Sequence, residues 1–215
     1  LFHEFGHTLH HVLTKVDYYS VSGINGVAWD AVELPSQFME NWAWEWQVMQ
    51  YISENINTGE PLPRAEFDKL LASKNFQSAL FLMRQIEYAM FDFRIHENIN
   101  SDANRSAHEI LQDIRKEFSV VPTPDVNRFE NSFSHIFAGG YAAGYYSYLW
   151  AEVLSCDAYD KFKNSGLLES EAGKAFLVHV LEMGGSRPAM ELFVNFAGRE
   201  PNVDALLRHY AIAQV

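Results

Sequence analysis

The chain has 215 residues, of which 48% are hydrophobic, enough to fill a sizeable core. Its formal net charge of -12 disfavours binding to nucleic acid phosphates, and no apolar stretch is long enough to span a bilayer. The single cysteine, Cys156, excludes an intrachain disulfide and fits a reducing compartment. We therefore expect a cytoplasmic protein that binds neither nucleic acid nor membrane.

The first predicted element is a helix that ends near Val16 and carries the motif H-E-x-x-H at residues 3–7. Residues four apart share a helical face, so His3 and His7 can bind one Zn²⁺ while Glu4 reaches an activated water molecule. A structural zinc site usually recruits several cysteines, which this chain lacks. The motif therefore favours an open, hydrolytic site.

A loop with two glycines and several serines, about residues 18–30, leads to a second predicted helix that begins at Glu33 or Leu34. Catalytic zinc usually takes a third protein ligand from further along the chain. Glu33 is the predicted ligand, because the second helix can fold back against the first. Either Glu40 or Asp30 could accept a hydrogen bond from an imidazole N–H, and the sequence does not decide between them.

The motif also permits a less specific interpretation, since histidine and glutamate are common on solvated helix faces and short motifs arise by chance. His11 lies four residues after His7 and could compete as a ligand. The polar surroundings of His10 and His11 favour their assignment to the helix surface.

The rest of the chain predicts further helices and no strands. The second helix continues toward Ile52, and the later helices are expected at about 65–72, 76–96, 103–118, 141–162, 169–183, 188–196 and 203–211. Segments rich in glycine or proline separate several of them. We expect an all-α, compact multi-helix fold that forms a single unit over residues 1–215.

Three tyrosines of the predicted helix 141–162 share one face, and a glycine pair and a histidine precede them. These residues are Tyr141, Tyr145, Tyr148, Gly139, Gly140 and His135. A phenol can donate a hydrogen bond to a developing oxyanion, and paired glycines let a loop close on a ligand. An aromatic stripe at helical spacing is more often core packing, so the residues alone favour packing.

Three segments together resemble the thimet-oligopeptidase family of zinc peptidases. They are HEFGHTLH at 3–10, VELPSQFMENW at 32–42 and FSHIFAGGYAAGYYSY at 133–148, and the similarity extends over essentially the whole chain. The resemblance implies the C-terminal part of a zincin-type catalytic domain, preceded by a helical N-terminal portion. It also implies hydrolysis of internal bonds in short peptides, with one Zn²⁺ per chain.

Carried over position by position, the resemblance implies that His3, His7 and Glu33 bind zinc and that Glu4 is the general base. It implies that Tyr148 stabilises the tetrahedral intermediate, which replaces the packing interpretation. His135 and Tyr145 are implied as further catalytic residues that contact the substrate around the scissile bond. The expected substrate-binding residues are Tyr141, Gly139 and Gly140. The alternatives are a dipeptidyl carboxypeptidase of the same family, or a helical zinc-binding fragment without catalysis. Without the N-terminal portion, the chain is expected to cleave weakly or not at all.

Overall fold

The computed structural model describes residues 1–97, 105–168 and 170–212. Helices account for most of these residues and strands for none of them, so the predicted all-α class is confirmed. Within the same ranges, every helix is too short or too polar to cross a membrane.

The helices are numbered along the chain, and their bounds are as follows. The first six are α1 (Phe2–Val12), α2 (Trp29–Val32), α3 (Leu34–Glu40), α4 (Trp46–Ile52), α5 (Arg64–Lys74) and α6 (Ser78–Glu97). The next six are α7 (Ala107–Phe118), α8 (Ser134–Phe137), α9 (Ser147–Ser165), α10 (Ser170–His179), α11 (Ala189–Ala197) and α12 (Asp204–His209). Short 3-10 helices lie at Tyr19–Val21, Asn41–Trp44, Phe129–Asn131 and Leu181–Met183.

The chain divides into two compact units. The first consists of residues 1–76 and 150–215, and the second of residues 77–149. Each unit has a hydrophobic cluster of its own. That residues 1–215 fold as a single domain stays a prediction.

Aromatic rings fill the core of the first unit. Phe38 of α3 stacks on Phe176 of α10, with ring centroids 4.2 Å apart, and meets Phe162 of α9 edge-on at 5.1 Å. Aromatic pairs in these geometries contribute stabilisation beyond the area they bury. They fix α3 against α9 and α10, and with it the residues at the start of α3.

The core of the second unit lies between α6 and α7. Phe91 of α6 and Leu111 of α7 are completely buried there, and Phe133 packs against Phe91. Tyr88 of α6 stacks on Phe129 at 4.3 Å. These rings hold the segment before α8 against α6.

The first helix is shorter than predicted. It ends at Val12 and not near Val16, because the chain turns away to make a tertiary contact. The N–H of Lys15 donates to the carbonyl oxygen of Glu182 at 3.0 Å, and the two side chains form an ion pair at 2.7 Å. A partner that is distant in the sequence therefore ends this helix.

The second predicted helix begins as expected but does not run unbroken to Ile52. After α3 the chain forms a 3-10 turn, and Glu45 adopts an extended conformation before α4. Trp42 packs edge-on against Tyr159 at 5.0 Å, and the Tyr159 hydroxyl donates to the carboxylate of Glu45 at 2.6 Å. These contacts with α9 outweigh the local preference to continue the helix.

The predicted helix 141–162 begins later than expected, at Ser147. Ala143 has a φ of +53°, which no residue of a right-handed helix adopts. Its N–H donates to the carboxylate of Asp92 at 2.9 Å, and not to a preceding carbonyl of a helix. Tyr141 and Tyr145 therefore lie in a turn before α9.

The predicted helix 169–183 ends at His179. The chain then leaves the direction of the helix, because the N–H of Gly185 donates to the carbonyl oxygen of Val21 at 3.0 Å. Residue 169 and residues 103–104 lie outside the described residues. In the described part, α7 starts at Ala107 after a capping box between Ser106 and Glu109. The remaining predicted helices agree with the structure to within two residues at each end.

Candidate metal centre

Three potential metal ligands converge in the first unit. His3 and His7 lie one turn apart on α1, and Glu33 lies directly before α3. One ligand atom from each residue lies within 4.8 Å of the other two. Nε2 of His3 is 3.3 Å and Nε2 of His7 is 3.1 Å from the same carboxylate oxygen of Glu33. The structure thus brings together the three residues that the sequence predicts as ligands.

Gly6 lets the two ligand-bearing segments approach each other. A Cβ atom at this position would lie 2.4 Å from the carbonyl oxygen of Pro35 and 2.5 Å from Cα of Ser36. Backbone atoms cannot yield to such contacts as a flexible side chain could. A residue with a Cβ would therefore push α1 away from α3, and the imidazoles away from Glu33.

The carboxylate of Glu33 is buried, with only 4% of the residue exposed, and a buried carboxylate needs hydrogen-bond partners. The Ser36 hydroxyl lies 2.9 Å from Oε2 of Glu33 and 3.0 Å from its carbonyl oxygen, so it can donate to either. The hydrogen bond that His7 donates to Glu33 raises the pKa of His7, while burial opposes the shift. Ser36 and the imidazoles together fix the orientation of this carboxylate.

The ring of His3 is held from its other side. Its Nδ1 lies 2.6 Å from Oε1 of Glu40, which leaves Nε2 facing Glu33. A carboxylate on the distal nitrogen fixes the ring orientation and the tautomer of a ligating histidine. Of the two acidic residues that the sequence left open, Glu40 and not Asp30 makes this contact among the described residues.

Glu4 lies beside the ligands on α1, and its side chain is exposed. After the hydrogen bond and charge of Glu33, the charge of Glu4 also contributes to raising the pKa of His7. Glu4 directly follows His3 on α1, and His7 lies three residues further along the same helix. A solvent-exposed carboxylate in this place can exchange protons with a water molecule.

This donor set fits a divalent metal ion. Two imidazole nitrogens and one carboxylate oxygen are the ligands of many catalytic zinc sites, whereas structural sites usually have four protein ligands. Among residues 1–97, 105–168 and 170–212, no second group of three such side chains converges in this way. The chemistry and spacing of the side chains therefore agree with an open metal centre.

The expectation that His10 lies on the helix surface is wrong. His10 is only 3% exposed and lines a cavity of about 350 Å³, which Val180 and Phe193 also line. Burial, together with the nearby His7 and His11, lowers the pKa of His10 to about 4. His11 is exposed, as predicted. Neither residue belongs to the cluster of potential ligands.

A cluster of aromatic rings lies in the second unit. Tyr148 stacks on Tyr141 at a centroid distance of 4.8 Å and lies 5.4 Å from Tyr145. The ring of His135 is 5.8 to 6.4 Å from all three tyrosines. The sequence predicted this grouping from a shared helical face, which is wrong for Tyr141 and Tyr145. The rings meet because residues 142–146 turn back before α9.

The two glycines before Tyr141 form a tight connection. A Cβ on Gly139 would lie 2.9 Å from both Cα and the carbonyl oxygen of His135, and Gly140 has a φ of +84°. Both positions favour glycine for steric reasons. The N–H of Tyr141 donates to the carbonyl of His135 at 3.0 Å, which closes the turn.

Tyr145 is held both at its hydroxyl and at its ring. Its hydroxyl donates to Oε1 of Gln85 at 2.9 Å, and its ring packs edge-on against Phe133 at 4.9 Å. Burial, followed by the neighbouring Tyr88 and Tyr148, raises its pKa to about 12. Tyr145 therefore packs against the core of the second unit and also belongs to the ring cluster that includes Tyr148.

Residues 1–212 match the family model described as Peptidase family M3. The chain belongs to this family. Among its relatives, oligopeptidase A of Salmonella typhimurium is 57% identical and oligopeptidase A of Escherichia coli 56% identical, each over 212 residues and 99% of this chain. A dipeptidyl carboxypeptidase of Salmonella typhimurium is 34% identical over 210 residues and 97% of this chain. The chain spans about 31% of the length of these relatives.

Peptidases of family M3 are generally metallopeptidases, which agrees with the donor set on α1 and α3. The sequence did not single out two polar residues of this M3 chain: Ser36 beside the metal ligands and Asp92 beside the tyrosines. The sequence offers no indication of a role for Ser36, because serine is common at helix starts. Asp92 could have been recognised, since a carboxylate between Phe91 and Phe93 in an apolar helix needs a hydrogen-bond partner.

Proposed function

We propose that this chain carries the active-site residues of a zinc-dependent oligopeptidase that hydrolyses internal bonds of short peptides. The observation that carries the proposal is the convergence of His3, His7 and Glu33. The identity of 56–57% to two proteins named oligopeptidase A supports the peptide substrate class.

In the proposed site, His3, His7 and Glu33 hold one Zn²⁺. When bound, the ion would lower the pKa of a water molecule and polarise the scissile carbonyl. Glu40 holds the His3 ring in the orientation that faces Glu33, and Ser36 holds the carboxylate of Glu33. These two contacts orient the ligands of the proposed site.

Glu4 is the proposed general base. Its exposed carboxylate accepts a proton from the attacking water and then delivers it to the departing amine of the substrate. The position of Glu4 on α1, directly after His3, supports this role, because it keeps the carboxylate next to the ligand cluster.

Tyr148 is the proposed hydrogen-bond donor to the oxyanion of the tetrahedral intermediate. A neutral phenol suits this task, because it donates a hydrogen bond and keeps its own proton, so it brings no negative charge next to the oxyanion. His135 and Tyr145 are further proposed catalytic residues, which contact the substrate around the scissile bond. The proposed substrate-binding residues are Tyr141, Gly139 and Gly140. Four rings contact one another within the second unit, those of His135, Tyr141, Tyr145 and Tyr148. These contacts support a common role.

The second candidate is a dipeptidyl carboxypeptidase, which the relative of that name at 34% identity keeps in consideration. The higher identity to oligopeptidase A favours the first candidate. Mass analysis of the products from a peptide with a blocked C-terminus separates the two. Internal cleavage supports the oligopeptidase, whereas a requirement for a free C-terminus supports the alternative.

The deciding experiment uses the natural protein that contains this sequence, here called the full-length protein, and an internally quenched peptide. We expect one zinc ion per chain by elemental analysis, and loss of cleavage in Glu4→Gln without loss of zinc. Glu54→Gln, a change to an exposed carboxylate of the same unit, serves as the control and should cleave normally. Normal cleavage by zinc-loaded Glu4→Gln would refute the mechanism. Cleavage lost in Glu4→Gln also argues against a non-catalytic zinc-binding fragment.

The proposed location is the cytoplasm. The lone cysteine supports it, since a chain with one cysteine has no intrachain disulfide, which fits a reducing compartment. Cell fractionation with an antibody to the full-length protein tests the location. The participation of a further N-terminal portion, and weak activity of the chain by itself, stay predictions.

A further inference from the structure

The carboxylate of Asp92 is completely buried in the second unit. It lies on α6 between Phe91 and Phe93, and none of its surface is exposed. A carboxylate in such surroundings is strongly destabilising unless hydrogen bonds compensate for the lost water. The hydrogen-bond partners of the Asp92 carboxylate therefore indicate its role.

Those partners lie in the turn that carries the tyrosines. Oδ1 of Asp92 accepts the N–H of Ala143 at 2.9 Å, and Oδ2 accepts the N–H of Tyr145 at 2.8 Å. Nδ1 of His96, one turn along α6, lies 2.9 Å from the same Oδ1 and 2.8 Å from the carbonyl oxygen of Asp92. One carboxylate thus bonds two backbone groups that are about 50 residues away.

The turn at residues 143–145 needs these hydrogen bonds to keep its conformation. Ala143 has a φ of +53°, a left-handed conformation that costs an L-residue free energy unless other contacts maintain it. With the two N–H groups directed at Asp92, residues 143–145 cannot join α9. The N–H of Tyr148 then donates to the carbonyl of Tyr145 at 3.3 Å, and the helix starts from there.

The same helix also holds the far end of Tyr145. Gln85 lies seven residues before Asp92 on α6, hence on the same face, and accepts the hydrogen bond from the Tyr145 hydroxyl at 2.9 Å. Tyr145 is therefore fixed at its backbone by Asp92 and at its phenol by Gln85. The ring of Tyr148 packs against this fixed residue at 5.4 Å.

We propose that Asp92 is a positioning residue for peptide hydrolysis: its carboxylate bonds the turn at Ala143 and Tyr145 and thereby places the Tyr145 and Tyr148 rings. The consequence for catalysis rests on the proposed function. The anchoring of the turn rests on the hydrogen bonds alone.

The first test is Asp92→Asn in the full-length protein. Asparagine keeps the shape but has one acceptor oxygen, so its amide N–H₂ must face one of the two N–H groups. We expect kcat to fall at least about 10-fold, on the scale of slightly misplaced catalytic groups, with unchanged zinc content. KM should change less than kcat, because Tyr148 is proposed to act on the intermediate.

The matched control is Glu87→Gln. Glu87 is a buried carboxylate of the same helix, but it pairs with Arg115 at 3.0 Å and not with the tyrosine turn. Its substitution should lower the melting temperature yet leave kcat close to that of the unmutated protein. Equal kcat values for Asp92→Asn and Glu87→Gln would overturn the inference.

A double-mutant cycle separates positioning from general destabilisation. If Asp92 acts through Tyr148, Asp92→Asn should reduce kcat much less in a Tyr148→Phe background than in the unmutated protein. A merely structural residue would give the same factor in both backgrounds. That outcome would overturn the inference even if all variants were less active.

Hydrogen exchange tests the anchor without any activity measurement. In the unmutated full-length protein, the amides of Ala143 and Tyr145 should be as strongly protected as core amides such as that of Leu111. Rapid exchange of these two amides would overturn the inference, even if Asp92→Asn did not fold. If the unmutated protein instead cleaved no peptide, the proposed function would fail, while the exchange data would still decide about the anchor.

Discussion

Glu33 illustrates how much of the metal centre depends on single side chains. Oε2 of its carboxylate faces both imidazoles, and the hydroxyl of Ser36 lies 2.9 Å from the same oxygen. The sequence predicts Glu33 as a ligand from its place at the start of the next helix. The supporting groups depend on side-chain directions that no spacing rule determines, so Ser36 and the choice of Glu40 emerge only from the structure.

The contact between Glu40 and His3 predicts a loss of metal affinity in Glu40→Gln. Without this carboxylate the ring loses the acceptor that fixes its tautomer, and affinity should fall about 10–100-fold. Competition with a chromogenic chelator measures the change. Asp30→Asn is the control, because Asp30 is the acidic neighbour that makes no contact with the ring. Equal zinc affinity for the two variants would show that the contact has no influence on binding.

The proposed role of Tyr148 predicts a purely catalytic defect in Tyr148→Phe. Removal of one oxyanion donor should cost about 2–4 kcal/mol of transition-state stabilisation, seen as a lower kcat on a quenched peptide. Tyr146→Phe is the control, since the Tyr146 ring stacks on Phe93 at 5.2 Å and has no proposed catalytic part. A Tyr148→Phe variant with nearly normal kcat would remove Tyr148 from the mechanism.

At the scale of helices, periodicity in the sequence predicted which segments are helical but misplaced several of their ends. The ends were misplaced where a distant residue bonds the backbone or packs beside it: Glu182 at the end of α1, Tyr159 after α3, and Asp92 before α9. Local propensities are weak, and tertiary contacts of this kind override them. Such contacts join residues far apart in the chain, so a pattern over neighbouring residues cannot register them.

The close packing of α1 on α3 predicts that Gly6→Ala disrupts the metal centre. The added methyl group would collide with backbone atoms of Pro35 and Ser36, so the helices must separate and zinc binding should fall by at least about 10-fold. Gly173→Ala in α10 is the control. A Cβ there meets nothing within 4 Å, so helix propensity should make that variant slightly more stable.

Isothermal titration with zinc compares the two glycine variants with the unmutated protein. Full zinc affinity in a folded Gly6→Ala variant would show that the approach of the two helices does not limit ligand geometry.

At the scale of the whole molecule, the buried His10 and the partly buried His209 make the fold sensitive to acid. Burial is the main cause that lowers the pKa to about 4 for both His10 and His209, with Lys74 and Lys163 adding to the effect at His209. Each ring is therefore neutral in the folded protein at neutral pH. In the unfolded chain the same rings take up protons near their ordinary pKa of 6.5.

This difference predicts that the folded state loses stability as the pH falls from about 6.5 to about 4. In that window the unfolded state binds more protons at position 10, and His10 alone should lower the free energy of unfolding by up to about 3 kcal/mol. Urea unfolding of the metal-free protein across this range measures the slope. His10→Gln should show a shallower dependence on pH. Identical slopes for the variant and the unmutated protein would exclude a contribution from His10.

The placement of the donors on α1 and at the start of α3 also bears on the order in which the chain folds. Bringing His7 to Glu33 closes a loop of about 26 residues, and a loop five times longer would cost about 1.4 kcal/mol more in chain entropy. Pairings that are local in sequence form rapidly, because little entropy is lost before contacts are gained. The donor-bearing helices can therefore meet before the distant α9 and α10 arrive to bury the aromatic face of α3.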